Sequence, residues 1–343
     1  MSKVINPSSP VTAALIGLGR IASLLEFDAK REKPASHAGA LTQAGVSLIA
    51  GCDIDPERSQ TFSQRWGVEA LYTEAEQLLA EQSPDILVIA TYPDTHAELL
   101  NLAFRHRIPV VICEKPLTDT LSTARQLERA LEKSSTKVVV NHERRYARDY
   151  QRVKGIIVNQ AFGRLCSVNA KLFMGRGRTP GEVLLWDGTH LVDILRYLTG
   201  EEGTEIQADG EVRQSGGSLW VRMRMGTVAT AIEIATDRDH LVFELDLSFE
   251  RGRIRIGNGL YEEWVGGESP LYEKMRSLLP VQVNTSDLYP TEYFLGMAKD
   301  AVRAFKEPSY QPVSSLRDGV AALETLDTIL KRAGSSLARL SRL

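Results

Sequence analysis

The sequence predicts a two-part α/β protein. A doubly wound parallel sheet occupies residues 1–141, and an α+β part with a large, mostly antiparallel open sheet occupies residues 142–343. Three observations predict it. The chain's 343 residues exceed one ordinary core. Its first 140 residues alternate continuous apolar runs with segments of helical spacing, which is the mark of a parallel sheet covered on both faces. Farther on, Leu241, Phe243, Leu245, Leu247 and Phe249 alternate with Val242, Glu244, Asp246, Ser248 and Glu250. That period of two belongs to an antiparallel sheet with one packed face.

Composition narrows the class of partner. The chain is 43% hydrophobic and 25% charged, ordinary for a soluble globular protein. A formal net charge of −3 supplies no basic field, so neither nucleic acid nor an anionic membrane is expected as a partner. No apolar run approaches the roughly 20 residues of a membrane span. Residues 1–10 lack the apolar core of a signal peptide. Cys52, Cys113 and Cys166 are far apart and lack metal-ligand spacing. Reduced thiols, no metal and a cytoplasmic location are expected.

The elements follow in order. Apolar, β-branched strands are expected at 11–16, 46–52, 85–91, 109–113 and 137–140. Helical spacing falls at 74–81, at 95–106 and at 120–133. A helix over 146–159 opens the second part, and strands follow at 165–172, 218–225, 227–236 and 241–249. Residues 257–259, Gly-Asn-Gly, mark a turn, and helices at 291–306 and 315–333 close the chain.

Ligands of a parallel sheet bind at the carboxyl ends of its strands, and the motifs of the first part lie at such ends. Gly17-Leu18-Gly19-Arg20-Ile21-Ala22 fits G-x-G-x-x-G/A after the first strand. Gly17 permits the tight turn, Gly19 lets a pyrophosphate approach, and Ala22 lets the helix it opens pack closely. This is the fingerprint of a Rossmann dinucleotide site. Asp53 ends the second strand, where its carboxylate suits the ribose hydroxyls of NAD and repels the 2′-phosphate of NADP. It lies 36 positions after Gly17, against roughly 20 in the usual fingerprint, and an inserted loop over 27–36 accounts for much of the excess. The alternative is that Asp53 only caps the next turn with Asp55 and Pro56.

Val110-Val111-Ile112-Cys113-Glu114-Lys115-Pro116 carries a charged pair into proline at a strand end. Tyr92-Pro93-Asp94-Thr95-His96 follows the third strand, with Thr95 able to cap a helix beginning near His96. His96 is either a cofactor neighbour or a first-turn residue. In the second part, Asp187-Gly188-Thr189-His190 opens a helix whose apolar face is Leu191, Ile194, Leu195 and Leu198. The helix N-terminus disfavours imidazolium, so His190 is expected neutral and able to accept a proton. Read locally, Asp187 could equally be an N-cap and His190 a packing residue. Arg144 and Arg145 could meet substrate hydroxyls or an anion. The loop 175–181, Gly-Arg-Gly-Arg-Thr-Pro-Gly, either closes over an anion or is simply solvated.

Together "CDIDPER", "ATYPDTHAELL", "CEKP" and "DGTHLVDILRYL" resemble the Gfo/Idh/MocA oxidoreductases over residues 11 to about 200. The resemblance implies that Lys115 lies beside the nicotinamide and the reacting oxygen, with Glu114 holding the local network. It implies a cofactor site of Gly17, Gly19, Arg20, Ile21, Asp53, Thr91, Pro93, His96, Glu114 and Lys115. It implies a substrate site of Lys115, Arg145, Trp186, Asp187 and His190, with Lys115, His190 and Asp187 catalytic. The family spacing is D-x-x-x-H; here the aspartate stands three residues before the histidine and Trp186 takes the fourth position, where it could stack on a sugar ring. The implied activity is NAD-dependent hydride transfer at a hydroxyl or keto group of a sugar, cyclitol or related polyol, with NADP less favoured. A homodimer or homotetramer through the second sheet is implied too. A non-catalytic NAD-binding regulator, or NAD-dependent glycosidase chemistry, on the same fold are the alternatives.

Overall fold

The computed structural model describes residues 10–334. The stretch read above for a leader, Pro10 apart, lies outside the described residues. The chain divides into two compact units.

The first unit is built on six parallel strands. In chain order its elements are β1 (Thr12–Ile16), α1 (His37–Gln43), β2 (Ser47–Cys52), α2 (Pro56–Trp66), β3 (Ala70–Tyr72) and α3 (Ala75–Glu81). Then come β4 (Ile86–Ile89), α4 (Pro93–Arg105), β5 (Val110–Cys113), α5 (Leu121–Leu131) and β6 (Lys137–Val140). The strand order is β3-β2-β1-β4-β5-β6, doubly wound about β1 and β4. Every residue of β4 and β5 is buried, which is why both read as unbroken apolar runs. β3 has three residues, too few to show a period in the sequence.

Two expected helix starts are corrected. The glycine turn does not open an α-helix. It closes into a turn and a 3-10 helix, Leu24–Phe27, and the first α-helix begins only at His37, capped by Ser36. Glu26 holds the intervening loop, accepting from the Ala35 N–H at 2.9 Å and the Ser36 hydroxyl at 2.8 Å. α4 begins at Pro93, not near His96, with Tyr92 as N-cap. Proline is preorganised for the first helical position, and the Thr95 hydroxyl donates back to Tyr92 O at 2.8 Å.

The second unit holds α6 (Arg148–Val158), β7 (Leu165–Phe173), α7 (Pro180–Trp186), α8 (Gly188–Thr199) and seven further strands. These are β8 (Gly203–Gly210), β9 (Ser218–Met225), β10 (Val228–Ala235), β11 (Val242–Phe249), β12 (Gly252–Gly257), β13 (Leu260–Glu268) and β14 (Arg276–Val281). A 3-10 helix, Glu143–Tyr146, precedes them. Their sheet runs β14-β13-β12-β11-β7-β10-β9-β8. β7 and β10 pair in parallel and the other neighbours antiparallel. β11 buries Phe243, Leu245, Leu247 and Phe249 on one face, whereas Leu241 precedes the strand and is exposed. The edge strands β8 and β14 have no continuous apolar face, so the sequence hid them.

α9 (Tyr293–Lys306) and α10 (Leu316–Arg332) end the described chain. The expectation of an undivided second part over 142–343 is corrected here, because Glu292–Arg317 belongs to the first unit. α9 buries Phe294, Leu295, Met297, Ala298, Ala301 and Ala304. Phe294 meets the His37 ring edge-on, with centroids 5.4 Å apart. The Lys137 ammonium at the start of β6 donates to Ala304 O and Glu307 O, both at 2.8 Å, and so satisfies carbonyls at the end of α9. α10, from Asp318 onward, belongs to the second unit and buries Val320, Leu323, Leu326 and Leu330.

Phe294→Ala should therefore destabilise the first unit although the residue lies far along the chain. Truncating a buried phenylalanine costs about 3–5 kcal/mol. Hydrogen exchange should report faster opening of β4, β5 and β6, with β9 and β10 of the second unit little changed; the reverse pattern would contradict the placement of α9.

Candidate active site

In the first unit the candidate residues gather at the carboxyl ends of β1, β2, β4 and β5. Gly17 follows β1 with φ +82°, and a Cβ there would lie 2.6 Å from Ala90 O. Only glycine suits both the torsion and the contact. Gly19 differs. A Cβ built on it meets just Arg58 Nη1, at 3.9 Å, so this side of the turn is open to an approaching phosphate. Arg20 is exposed and Ile21 half-buried beside it.

Asp53 is brought to this turn despite its distance in sequence. The Gly17 N–H donates to Cys52 O at 2.8 Å, which sets the end of β2 against the glycine turn. The Asp53 carboxylate accepts from the Leu18 N–H at 2.7 Å and the Asp55 N–H at 2.9 Å. Asp55, not Asp53, is the side-chain cap of α2, accepting from the Glu57 and Arg58 N–H groups. Thr91 and Pro93 stand at the end of β4, and the Thr91 and Thr95 hydroxyl oxygens lie 2.7 Å apart.

Glu114 organises the end of β5. Its Oε1 lies 2.7 Å from His37 Nε2 and accepts from Asn141 Nδ2 at 2.6 Å; its Oε2 accepts from the Lys115 N–H at 3.3 Å. Burial pushes this carboxyl up, but His37, Lys115 and Asn141 outweigh it and hold it below its ordinary value. The Lys115–Pro116 peptide is cis, and Lys115 is half-buried. Fully buried His96 places Nδ1 at 3.1 Å from Pro116 O and 3.2 Å from Leu117 O, and Nε2 at 3.2 Å from Thr91 O. Burial pushes its pKa down, against the pull of those carbonyls and of Glu114. Glu114 and His96 were expected among direct cofactor contacts. The structure instead uses their side chains to hold the Lys115 loop and the end of β4, because each polar edge is spent on protein partners.

In the second unit, His190 lies in the first turn of α8 and is buried. The Asp187 side chain is paired away from His190. Asp187 accepts from Arg178 Nη1 at 2.6 Å, so the loop 175–181 supplies its partner. Glu143 is the carboxylate beside His190, with Oε2 at 3.5 Å from Nδ1. Sequence reading missed Glu143, although it stands next to the arginines that were singled out. Trp186 ends α7 half-buried, adjacent in sequence to Asp187.

The assignment of Arg145 to substrate is also corrected. It is buried, donating to both Asp193 oxygens at 2.8 and 2.7 Å and to Asp318 Oδ1 at 2.9 Å. Arg144 donates to Asn258 Oδ1 at 3.1 Å and covers the Phe243 ring at 3.6 Å. Asp193 also stands 3.1 Å from His142 Nδ1. Burial pushes Asp193 up, but His142 and Arg145 outweigh it and hold it well below the usual carboxylate range.

Two predictions follow from these contacts. Gly19→Val should fold normally yet lose NAD affinity, whereas Gly17→Val should destabilise the first unit itself; calorimetric titration beside thermal unfolding separates the two. Asp193→Asn should cost about 3–5 kcal/mol at pH 7, because it strips a buried guanidinium of the more buried of its two counter-charges and leaves only Asp318. A depressed carboxylate stabilises the fold above its unfolded pKa of about 3.9 and loses that contribution as pH falls further. The gap between wild type and variant should therefore narrow below about pH 4; a constant gap in urea midpoints would show that Asp193 carries no charge-dependent stability.

Residues 11–142 match the oxidoreductase family described as having an NAD-binding Rossmann fold, GFO_IDH_MocA. A D-apiose dehydrogenase of Rhizobium rhizogenes is 28% identical over 169 residues, 47% of this chain and 49% of that protein. The chain thus spans about half the length of the first curated relatives it matches. An inositol 2-dehydrogenase of Pseudarthrobacter chlorophenolicus is 26% identical over 283 residues, 76% of this chain and 80% of that protein. In fold, the chain is similar to the WlbA dehydrogenase of Bordetella pertussis, solved with NADH and UDP-GlcNAcA. The TM-score is 0.74 at 21% identity, covering 95% of this chain and 96% of that one. The glycine turn, Asp53 and the Glu-Lys-Pro strand end all lie inside this matched segment, so it is residues 11–142 that are similar to the GFO_IDH_MocA oxidoreductases and their NAD-binding Rossmann fold.

Proposed function

We propose that the protein is an NAD-dependent dehydrogenase that moves a hydride between nicotinamide and the CH–OH carbon of a sugar, cyclitol or related polyol. The observation that carries this reading is the placement of Lys115. A buried Glu114–His37–Asn141 network fixes its backbone at the end of β5, in the same unit as the open glycine turn and Asp53. A structural lysine would not need that support. Polyol dehydrogenases among the relatives point to the same substrate class.

The glycine turn and Asp53 would hold the dinucleotide. Gly19 admits the pyrophosphate, and the Asp53 carboxylate meets the ribose hydroxyls and repels a 2′-phosphate, so NAD is favoured over NADP. Arg20, Ile21, Thr91 and Pro93 would line the same cofactor. NAD supplies the hydride acceptor. His190, presented as neutral imidazole at a helix N-terminus, takes the hydroxyl proton. The Lys115 ammonium stabilises the negative charge that develops on that oxygen. Asp187, held by Arg178, accepts from a neighbouring substrate hydroxyl, and Trp186 offers a ring for a sugar face to stack on. A homodimer or homotetramer through the open sheet of the second unit is part of the proposal. A cytoplasmic location is too, supported by the free thiols of Cys52, Cys113 and Cys166. No described helix is long and apolar enough to cross a membrane.

The test follows nicotinamide absorbance against a panel of sugars, inositols, uronates and sugar phosphates, with NAD and with NADP. Lys115→Ala and His190→Ala should each lower turnover by roughly 10²–10⁴-fold while leaving NAD affinity nearly unchanged. Lys115 belongs to the first unit and His190 to the second. A double variant that loses less than the product of the single losses would show that both serve one proton transfer. Near-normal turnover of Lys115→Ala would overturn the reading.

A further inference from the structure

α8 presents two polar side chains on one face, His190 and Asp193, three residues apart. The segment that meets them is short, being His142 and the 3-10 helix Glu143–Tyr146. Its side chains make a clamp. His142 Nδ1 stands 3.1 Å from Asp193 Oδ1. Arg145 grips both oxygens of Asp193, at 2.8 and 2.7 Å. Both clamping side chains are buried, with a relative exposure of 2% for His142 and 5% for Arg145. Glu143 lies between these two anchors in the sequence, and its Oε2 comes to 3.5 Å from His190 Nδ1, an ion-pair distance longer than an ordinary hydrogen bond. Asp187, three residues before the histidine, is engaged elsewhere, on Arg178.

We propose that Glu143 is the positioning carboxylate of His190, set in place by the clamp that His142 and Arg145 close on Asp193. The inference rests on the reading of His190 as the proton acceptor and names the group that prepares it. A carboxylate at Nδ1 favours the tautomer with the proton on Nδ1. That tautomer leaves Nε2 as the lone pair that takes the substrate proton. The same carboxylate stabilises the imidazolium once the proton has arrived. Arg145 then has a role that no substrate contact would explain: it fixes the 3-10 helix so that Glu143 keeps its place. The orienting carboxylate then comes from the turn before α6 and not from the residue before α8. Asp187 is thereby released to pair with the arginine loop.

The test is the tautomer of His190, read in the full-length protein by ¹H–¹⁵N correlation of its ring nitrogens, with no substrate present. Wild type should show the proton on Nδ1. Glu143→Ala should shift the ring toward the Nε2–H form. Glu143→Gln keeps the size and an acceptor oxygen, and should retain the Nδ1–H form while losing charge stabilisation. In the assay described above, using NAD and the most active alcohol of the panel, Glu143→Ala should lower kcat by about 10²-fold or more, with KM little changed, as when a base loses its orienting group. Glu143→Gln should fall between it and wild type. His190 resonances identical in wild type and Glu143→Ala, in protein whose thermal unfolding is also unchanged, would overturn the proposal. Unaltered turnover of Glu143→Ala would do the same. An active His190→Ala would instead sink the assignment of the base, while the tautomer measurement would still decide the role of Glu143.

Discussion

The Glu114 carboxylate is the constraint on which the first unit's chemistry depends. It is a buried anion at the end of a strand whose every residue is buried. Such a charge is tolerated only when its oxygens are bonded and its charge is met. His37 from α1, Asn141 from the end of β6 and the Lys115 N–H supply those partners. In doing so they bring three distant parts of the chain to one point. α9 completes the arrangement from far along the sequence, because Phe294 packs edge-on against the His37 ring. The glycine turn and Asp53 form a second knot at the ends of β1 and β2. There a carboxylate satisfies the Leu18 N–H that a tight turn would leave without a backbone partner.

The second unit uses the same principle. Asp193 on α8 is buried among cations and receives Arg145 in the bidentate geometry that planar guanidinium favours. Breaking such a pair is costly, so its members are held in single positions. Rigidity there has a consequence for chemistry, because Glu143 shares a turn with Arg145 and His190 shares a helix face with Asp193. Residues that never meet a ligand can thus decide the geometry of those that do.

Much of the fold was legible because its causes are local or periodic. Continuous apolar runs made β4 and β5 visible, and the alternation in β11 showed an antiparallel sheet. The misses share a cause. The opening of α1 was misplaced because Glu26 binds Ala35 and Ser36 through the loop, a tertiary choice invisible in the glycine pattern. β8 and β14 were missed because edge strands need no apolar face. Arg145 was misread because an arginine beside a strand end looks the same whether its partner is a substrate or a buried aspartate 48 positions away.

The sequence by itself determined which chemistry-bearing residues exist and which strand or helix end each one occupies. Chain connectivity places a residue that follows a parallel strand at the carboxyl edge, and this holds for Gly17, Asp53, Thr91 and Lys115. Only the tertiary structure decided partnership. Asp187 goes to Arg178 and Glu143 to His190, His96 spends its ring on backbone carbonyls, and α9 joins the first unit although it follows the second in sequence. The physical reason is that a hydrogen bond or ion pair is settled by distance and desolvation in the folded state. Candidates such as Asp187 and Glu143, equally able in sequence to serve one histidine, are told apart only when packing brings one carboxylate to the ring and an arginine to the other.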